Sequence, residues 1–86
     1  MQYLVIVEKA PANYAAFSPD VPGCVATGAT IEETLSEMKA VLEFHIEALD
    51  EAPQPKGLRY YLDREELVCE EGSLFAELVI EPRKAA

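Results

Sequence analysis

The chain has no run of five or more Lys and Arg, no long apolar stretch, a single histidine and only two cysteines. Each scarcity excludes a class of function. Seven basic residues stand against sixteen acidic ones, a net charge of -9 at pH 7. Such a field repels phosphate backbones and attracts basic surfaces, so direct nucleic-acid binding by this chain is not expected. The longest uncharged apolar segment lies near Leu4 to Val7, far short of the ~20 residues a spanning helix needs, so no membrane partner is expected. MQYLVIVEKAP has no positive region ahead of its apolar part and does not read as a signal peptide. A cytoplasmic protein is the expectation.

In that compartment Cys24 and Cys69 stay reduced. Neither has a second Cys or a His at ligand spacing, which leaves a zinc site unsupported and makes both small packing residues. Gly23 and Gly28 form neither a dinucleotide fingerprint nor a P-loop, and no Lys follows Gly28. No cofactor and no metal are expected.

The chain is 86 residues long and half hydrophobic, enough for one domain with a modest core, expected over residues 1–82 with a disordered tail at 83–86. A domain of this size buries only roughly 60–65% of its unfolded surface, so self-association as a dimer or tetramer is expected.

Periodicity supplies the elements. YLVIVE at residues 3 to 8 is rich in strand formers, and Tyr3, Val5 and Val7 alternate with Leu4 and Ile6. Both faces are therefore apolar, as in a central strand, with a helix expected over one face and a partner or loop over the other. Pro11 and Asn13 turn the chain into a second strand, Tyr14 to Phe17, and a third is expected over about Gly23 to Thr27. Between them, Pro19 and Pro22 lack ladder donors and force a bend in place of a tight hairpin. Thr30-Ile31-Glu32-Glu33 has the form of a capping box. Ile31, Leu35, Met38, Leu42, Ile46 and Leu49 then recur at helical spacing, with Val41 and His45 beside them and glutamates opposite. Pro53, Pro55 and Gly57 end the helix. The segment LRYYLDREELVC is ambiguous, because Leu58, Tyr60 and Leu62 alternate like a strand whereas DREEL fits a helical turn. SLFAELVIEP reads as a final strand pairing beside the first, with Leu74, Ala76, Leu78 and Ile80 on one face and Phe75 and Val79 on the other. The expected fold class is α+β: a mostly antiparallel sheet of three to five strands with one long helix on one face, in the order β-β-β-α-(β)-β.

Few residues suggest chemistry. His45 lies at the edge of the apolar stripe, where no Ser, Cys or second His offers a partner, and reads as a core-edge residue. Asp20 sits in the bend, expected to be exposed. It is either an Asx-type turn residue or a carboxylate that would need Glu8 with Glu33 or Glu37 to hold a metal. The glutamate-rich helix face is a solvated face or an acidic surface for a basic protein. Tyr3, Tyr14, Tyr60 and Tyr61, without interleaved Lys or Arg, read as strand and interface aromatics.

Tyr14-Ala15-Ala16-Phe17-Ser18-Pro19-Asp20-Val21-Pro22-Gly23-Cys24, followed by Gly28-Ala29-Thr30-Ile31-Glu32-Glu33 and an amphipathic helix through His45, resembles the HicB family of antitoxins. The likeness covers residues 3 to 55 well and 56 to 82 loosely. Ala29 departs from it, since an acidic residue is common there in the family. The resemblance implies a partial RNase H-like fold and a non-catalytic module that binds and neutralises a small basic mRNA-cleaving toxin, HicA. Family antitoxins usually carry a further C-terminal DNA-binding segment; this chain reads as a short form without it. The expected partner contacts are Ser18, Pro19, Asp20, Val21 and Pro22 in the bend, with Glu33 and Glu37 on the helix. Two other readings compete: an orphan oligomeric domain of the same fold that binds another protein or a small ligand, and a metal-dependent nuclease using Glu8 and Asp20.

Overall fold

A computed structural model describes residues 1–64 and 72–81. Three strands come first: β1 (Gln2–Lys9), β2 (Tyr14–Phe17) and β3 (Val25–Gly28). The long helix α1 (Ile31–Glu47), a short helix α2 (Leu58–Asp63) and β4 (Leu74–Val79) follow. The strands form one antiparallel sheet in the order β3-β2-β1-β4. β1 is thus central, as its two apolar faces require, and the last strand lies beside the first. The β1–β4 ladder continues past β4, where the Ile80 N–H donates to the Met1 carbonyl at 2.8 Å and the Met1 ammonium donates to the Ile80 carbonyl at 3.0 Å.

The core lies between α1 and one face of the sheet. Tyr3, Val5 and Val7 of β1, Ala16 of β2 and Ala26 of β3 pack against Met38, Leu42 and Ile46, with Val21, Cys24 and Ile80 closing the ends. Leu35 and Val41 of the helical stripe and Leu78 of β4 are half-buried around it. Thr34 joins the buried set unannounced by hydropathy; its hydroxyl donates to the Thr30 carbonyl at 2.7 Å, which removes the polar penalty of its burial. Thr30 caps α1 in extended backbone, its Oγ1 accepting the Glu33 N–H at 3.1 Å.

Two boundaries differ from the sequence reading. β3 begins at Val25, because Gly23 has φ +94° and is spent in a turn. The alternation of Leu58, Tyr60 and Leu62 does not make a strand: the segment is α2. Gly57, at φ +85°, redirects the chain into it. The helix hides Tyr61 and leaves Leu62 more than half exposed, a pattern alternation cannot anticipate. Residues 65–71, including Cys69 and most of DREEL, and the tail at 83–86 lie outside the described residues.

Candidate partner-binding surface

The bend between β2 and β3 consists of two successive turns. The Val21 N–H donates to the Ser18 carbonyl at 3.3 Å, and the Cys24 N–H to the Val21 carbonyl at 3.4 Å. Each turn has proline at its second position, where a fixed φ suits it, and the second has Gly23 with positive φ at its third, the requirement of a type II turn.

These turns answer a backbone need of β1. The β1–β2 register runs from Lys9↔Tyr14 to Ile6↔Phe17. Two residues further along it, Pro19 falls opposite Leu4 and has no N–H to offer. Side chains take over from the ladder: the Ser18 hydroxyl donates to the Leu4 carbonyl at 2.7 Å, and the Leu4 N–H donates to Asp20 Oδ2 at 2.9 Å. Asp20 Oδ1 accepts two more bonds, from the Lys56 N–H at 2.9 Å and the Tyr61 hydroxyl at 2.6 Å. One carboxylate therefore ties together β1, the loop after α1, and α2.

This corrects the expectation of an exposed bend. Ser18, Asp20 and Val21 are buried, at 3%, 7% and 1% exposure, because two of them serve the Leu4 backbone and the third fills the core. Pro19 is half-buried and Pro22 exposed, so the prolines form the outer lip. On α1, Glu32, Glu33, Glu37, Glu43 and Glu47 are exposed on the side away from the sheet. The structure thus keeps Glu33 and Glu37 on one helix and the Ser18–Pro22 bend beyond the end of β2.

Tyr61 and Lys56 were invisible as members of this network from sequence, since the contacts span 41 and 36 residues. An Asp between two prolines was the one available signal that the bend is specified in detail. Tyr3, buried beneath the loop, donates to the Pro53 carbonyl at 2.7 Å. Burial, with the Asp20 charge second, holds its hydroxyl above the ordinary 10.0. Burial likewise pushes the Cys24 thiol up.

Among the described residues no three His, Cys, Asp or Glu side chains converge to hold a metal ion. Asp20 is committed to its three donors, and Glu8 lies opposite Ala15 on the β1–β2 ladder. His45 sits half-buried in the last turn of α1. No helix among the described residues is long and apolar enough to cross a membrane.

Known proteins agree with this architecture. The crystal structure of the antitoxin HicB from Burkholderia pseudomallei superposes with a TM-score of 0.79 at 21% identity, over 94% of this chain and 64% of that one. The antitoxin HicB3 gives 0.76 at 29% identity, over 98% of this chain and 65% of that one. A chain from a HicA3 and HicB3 toxin-antitoxin complex gives 0.73 at 29% identity, over 95% of this chain and all of that one. In sequence, an uncharacterized 14.9 kDa protein of Haemophilus phage HP1, from its rep-hol intergenic region, is 33% identical over 70 residues. That alignment takes in 77% of this chain but only 53% of the phage protein, so the chain spans about half the length of this relative and under two thirds of the first HicB structure. The family model for the HicB_like antitoxin of bacterial toxin-antitoxin systems matches residues 3–70. With the PDVPGC bend, the capped helix and the four-stranded antiparallel sheet all in place, this chain belongs to the HicB-like antitoxin family.

Proposed function

We propose that this chain is a non-catalytic antitoxin module that binds and neutralises a small basic toxin of the HicA type. The observation that carries the reading is the antitoxin family match over residues 3–70, and the likeness to a chain of a HicA3 and HicB3 complex supports it. Charge supports it independently. A net charge of -9, with five glutamates exposed on α1, steers a cationic partner into productive encounter. On this reading Pro19 and Pro22 touch the toxin, Ser18, Asp20 and Val21 hold the prolines in place from beneath, and Glu33 and Glu37 attract and orient the toxin. Cytoplasmic residence follows, because a toxin that cleaves mRNA must be met where mRNA is.

The test is co-expression with a HicA-family toxin together with binding kinetics on the purified pair. Wild type should restore growth and bind at or below micromolar concentration, with an association rate that falls steeply as salt is raised. Glu33→Lys with Glu37→Lys should slow association several-fold and leave dissociation nearly unchanged, whereas Pro22→Glu should act mainly on dissociation. No rescue and no complex with any HicA-family toxin would end this reading.

A further inference from the structure

β4 closes the sheet on the side opposite β3, and its pairing register decides what its other side presents. Tyr3, Val5 and Val7 stand opposite Leu78, Ala76 and Leu74, and the bonds between Met1 and Ile80 show that the even-numbered positions of this strand face β1. The N–H and C=O groups of Phe75, Glu77 and Val79 therefore point outward. Among the described residues no strand pairs with them.

Proteins ordinarily guard such an edge with lysine, proline, a bulge or a very short strand. β4 has six residues, LFAELV, with no lysine, proline or bulge, and its one charge is Glu77. Phe75 and Val79 are 40% and 50% exposed, on the sheet face away from α1, with Glu77 between them. Next to them lies an open groove of about 520 Å³ lined by Gln2, Leu4, Leu58, Phe75, Ala76 and Glu77. Backbone groups along the edge, apolar side chains two residues apart and one carboxylate between them describe a receptor for an extended segment.

Charge decides what that segment is. Two copies of β4 pairing about Glu77 would set Glu77 against Glu77 while joining chains of net charge -9 each, and like charges directly opposite are destabilising. A cation opposite Glu77, with apolar residues two positions to either side, satisfies every group on the edge. We propose that the outer edge of β4 receives an extended segment of a basic protein partner by strand addition, with Lys or Arg against Glu77 and apolar side chains against Phe75 and Val79. That the partner is the toxin rests on the antitoxin reading above; the edge and its occupant's chemistry do not.

Amide hydrogen exchange, read residue by residue with and without a HicA-family toxin, tests this directly. The amides of Phe75, Glu77 and Val79 should exchange fast in the free protein and slow at least tenfold in the complex, while those of Leu74, Ala76 and Leu78 stay protected in both. Glu77→Lys should weaken binding tenfold or more. Val79→Pro, which removes an outward N–H and no bond to β1, should do the same if it folds, and Glu51→Lys, an equal charge change in an exposed loop, should cost under threefold. Tight binding with the three amides still exchanging and Glu77→Lys without effect would overturn the edge assignment and leave the antitoxin reading standing. If no toxin binds, the antitoxin reading falls, and the edge is judged with an acetylated synthetic peptide that carries valine, lysine and valine at successive alternate positions with threonine between them, so that lysine can stand against Glu77 and the valines against Phe75 and Val79. Protection of the same three amides by that peptide supports the proposal; no protection overturns it, as does protection in the free protein that grows with its concentration, the mark of a second copy.

Discussion

The carboxylate of Asp20 accepts the backbone N–H of Leu4 at 2.9 Å, while the Ser18 hydroxyl gives the Leu4 carbonyl the donor that Pro19, opposite it, lacks. The bend is thus part of the sheet, extended by side chains where the backbone ladder stops. Its prolines are displayed only because the residues between them are bound inward.

Removing that carboxylate should cost far more than a surface loop would suggest. Asp20→Ala removes the acceptor of the Leu4 N–H, the Lys56 N–H and the Tyr61 hydroxyl, and stability should fall by about 2–4 kcal/mol. At about 4–8 °C per kcal/mol for a domain of this size, thermal melting should drop by about 8 °C or more. Asp20→Asn must turn an N–H toward one of three donors and should lose about 1–3 kcal/mol. A melt within 2 °C of wild type for both variants would show that the network is not formed in solution.

Tyr61 is coupled to Asp20 through a 2.6 Å bond. Tyr61→Phe alone should cost about 1–2 kcal/mol, seen as a lower urea midpoint at unchanged slope. In the Asp20→Ala background its effect should shrink by at least half, since the partner is already gone. Additive losses in that double-mutant cycle would contradict the contact.

At the start of α1 there is no room for a methyl group. A Cβ on Gly28 would stand 2.7 Å from both the backbone nitrogen and the Oγ1 of Thr34. Gly28→Ala should therefore destabilise by about 1–3 kcal/mol through overpacking. Thr30→Ala, which loses the cap on Glu33, should cost about 0.5–2 kcal/mol and speed exchange of the Glu33 amide. Helix-terminal exchange unchanged in both variants would argue against this packing.

Tyr3 gives the protein an alkaline limit. Its hydroxyl titrates above 10.0, first through burial and then through the Asp20 charge, so the folded state holds that proton more tightly than the unfolded chain. The linked stability is complete below pH 10 and is lost as pH rises through the folded value. Tyr3→Phe forfeits the bond to Pro53, about 1 kcal/mol near neutrality, but should flatten the decline above pH 10. Urea midpoints measured from pH 8 to 11 on both proteins decide the matter.

The order of elements is legible in the residues alone, because period and punctuation are local properties. Two apolar faces on YLVIV placed β1 at the centre, and Thr30 with its 3.6-residue stripe started α1 and oriented it. The prolines and Gly23 also announced a bend, and the family signature rests on those same residues. What that bend does was decided by tertiary structure alone. Whether Asp20 faces water or Leu4 depends on the β1–β2 register, in which Pro19 meets Leu4, and on Tyr61 and Lys56 arriving from far along the chain. The same holds for α2, whose apolar alternation mimics a strand until Tyr61 is given a partner to bury against. It holds for β4 too: the local pattern marks Phe75 and Val79 as the second face of a strand, but only the pairing with β1 shows which backbone groups remain on the outer edge. Local sequence encodes conformational preference, whereas exposure and hydrogen-bond satisfaction are properties of the assembled sheet.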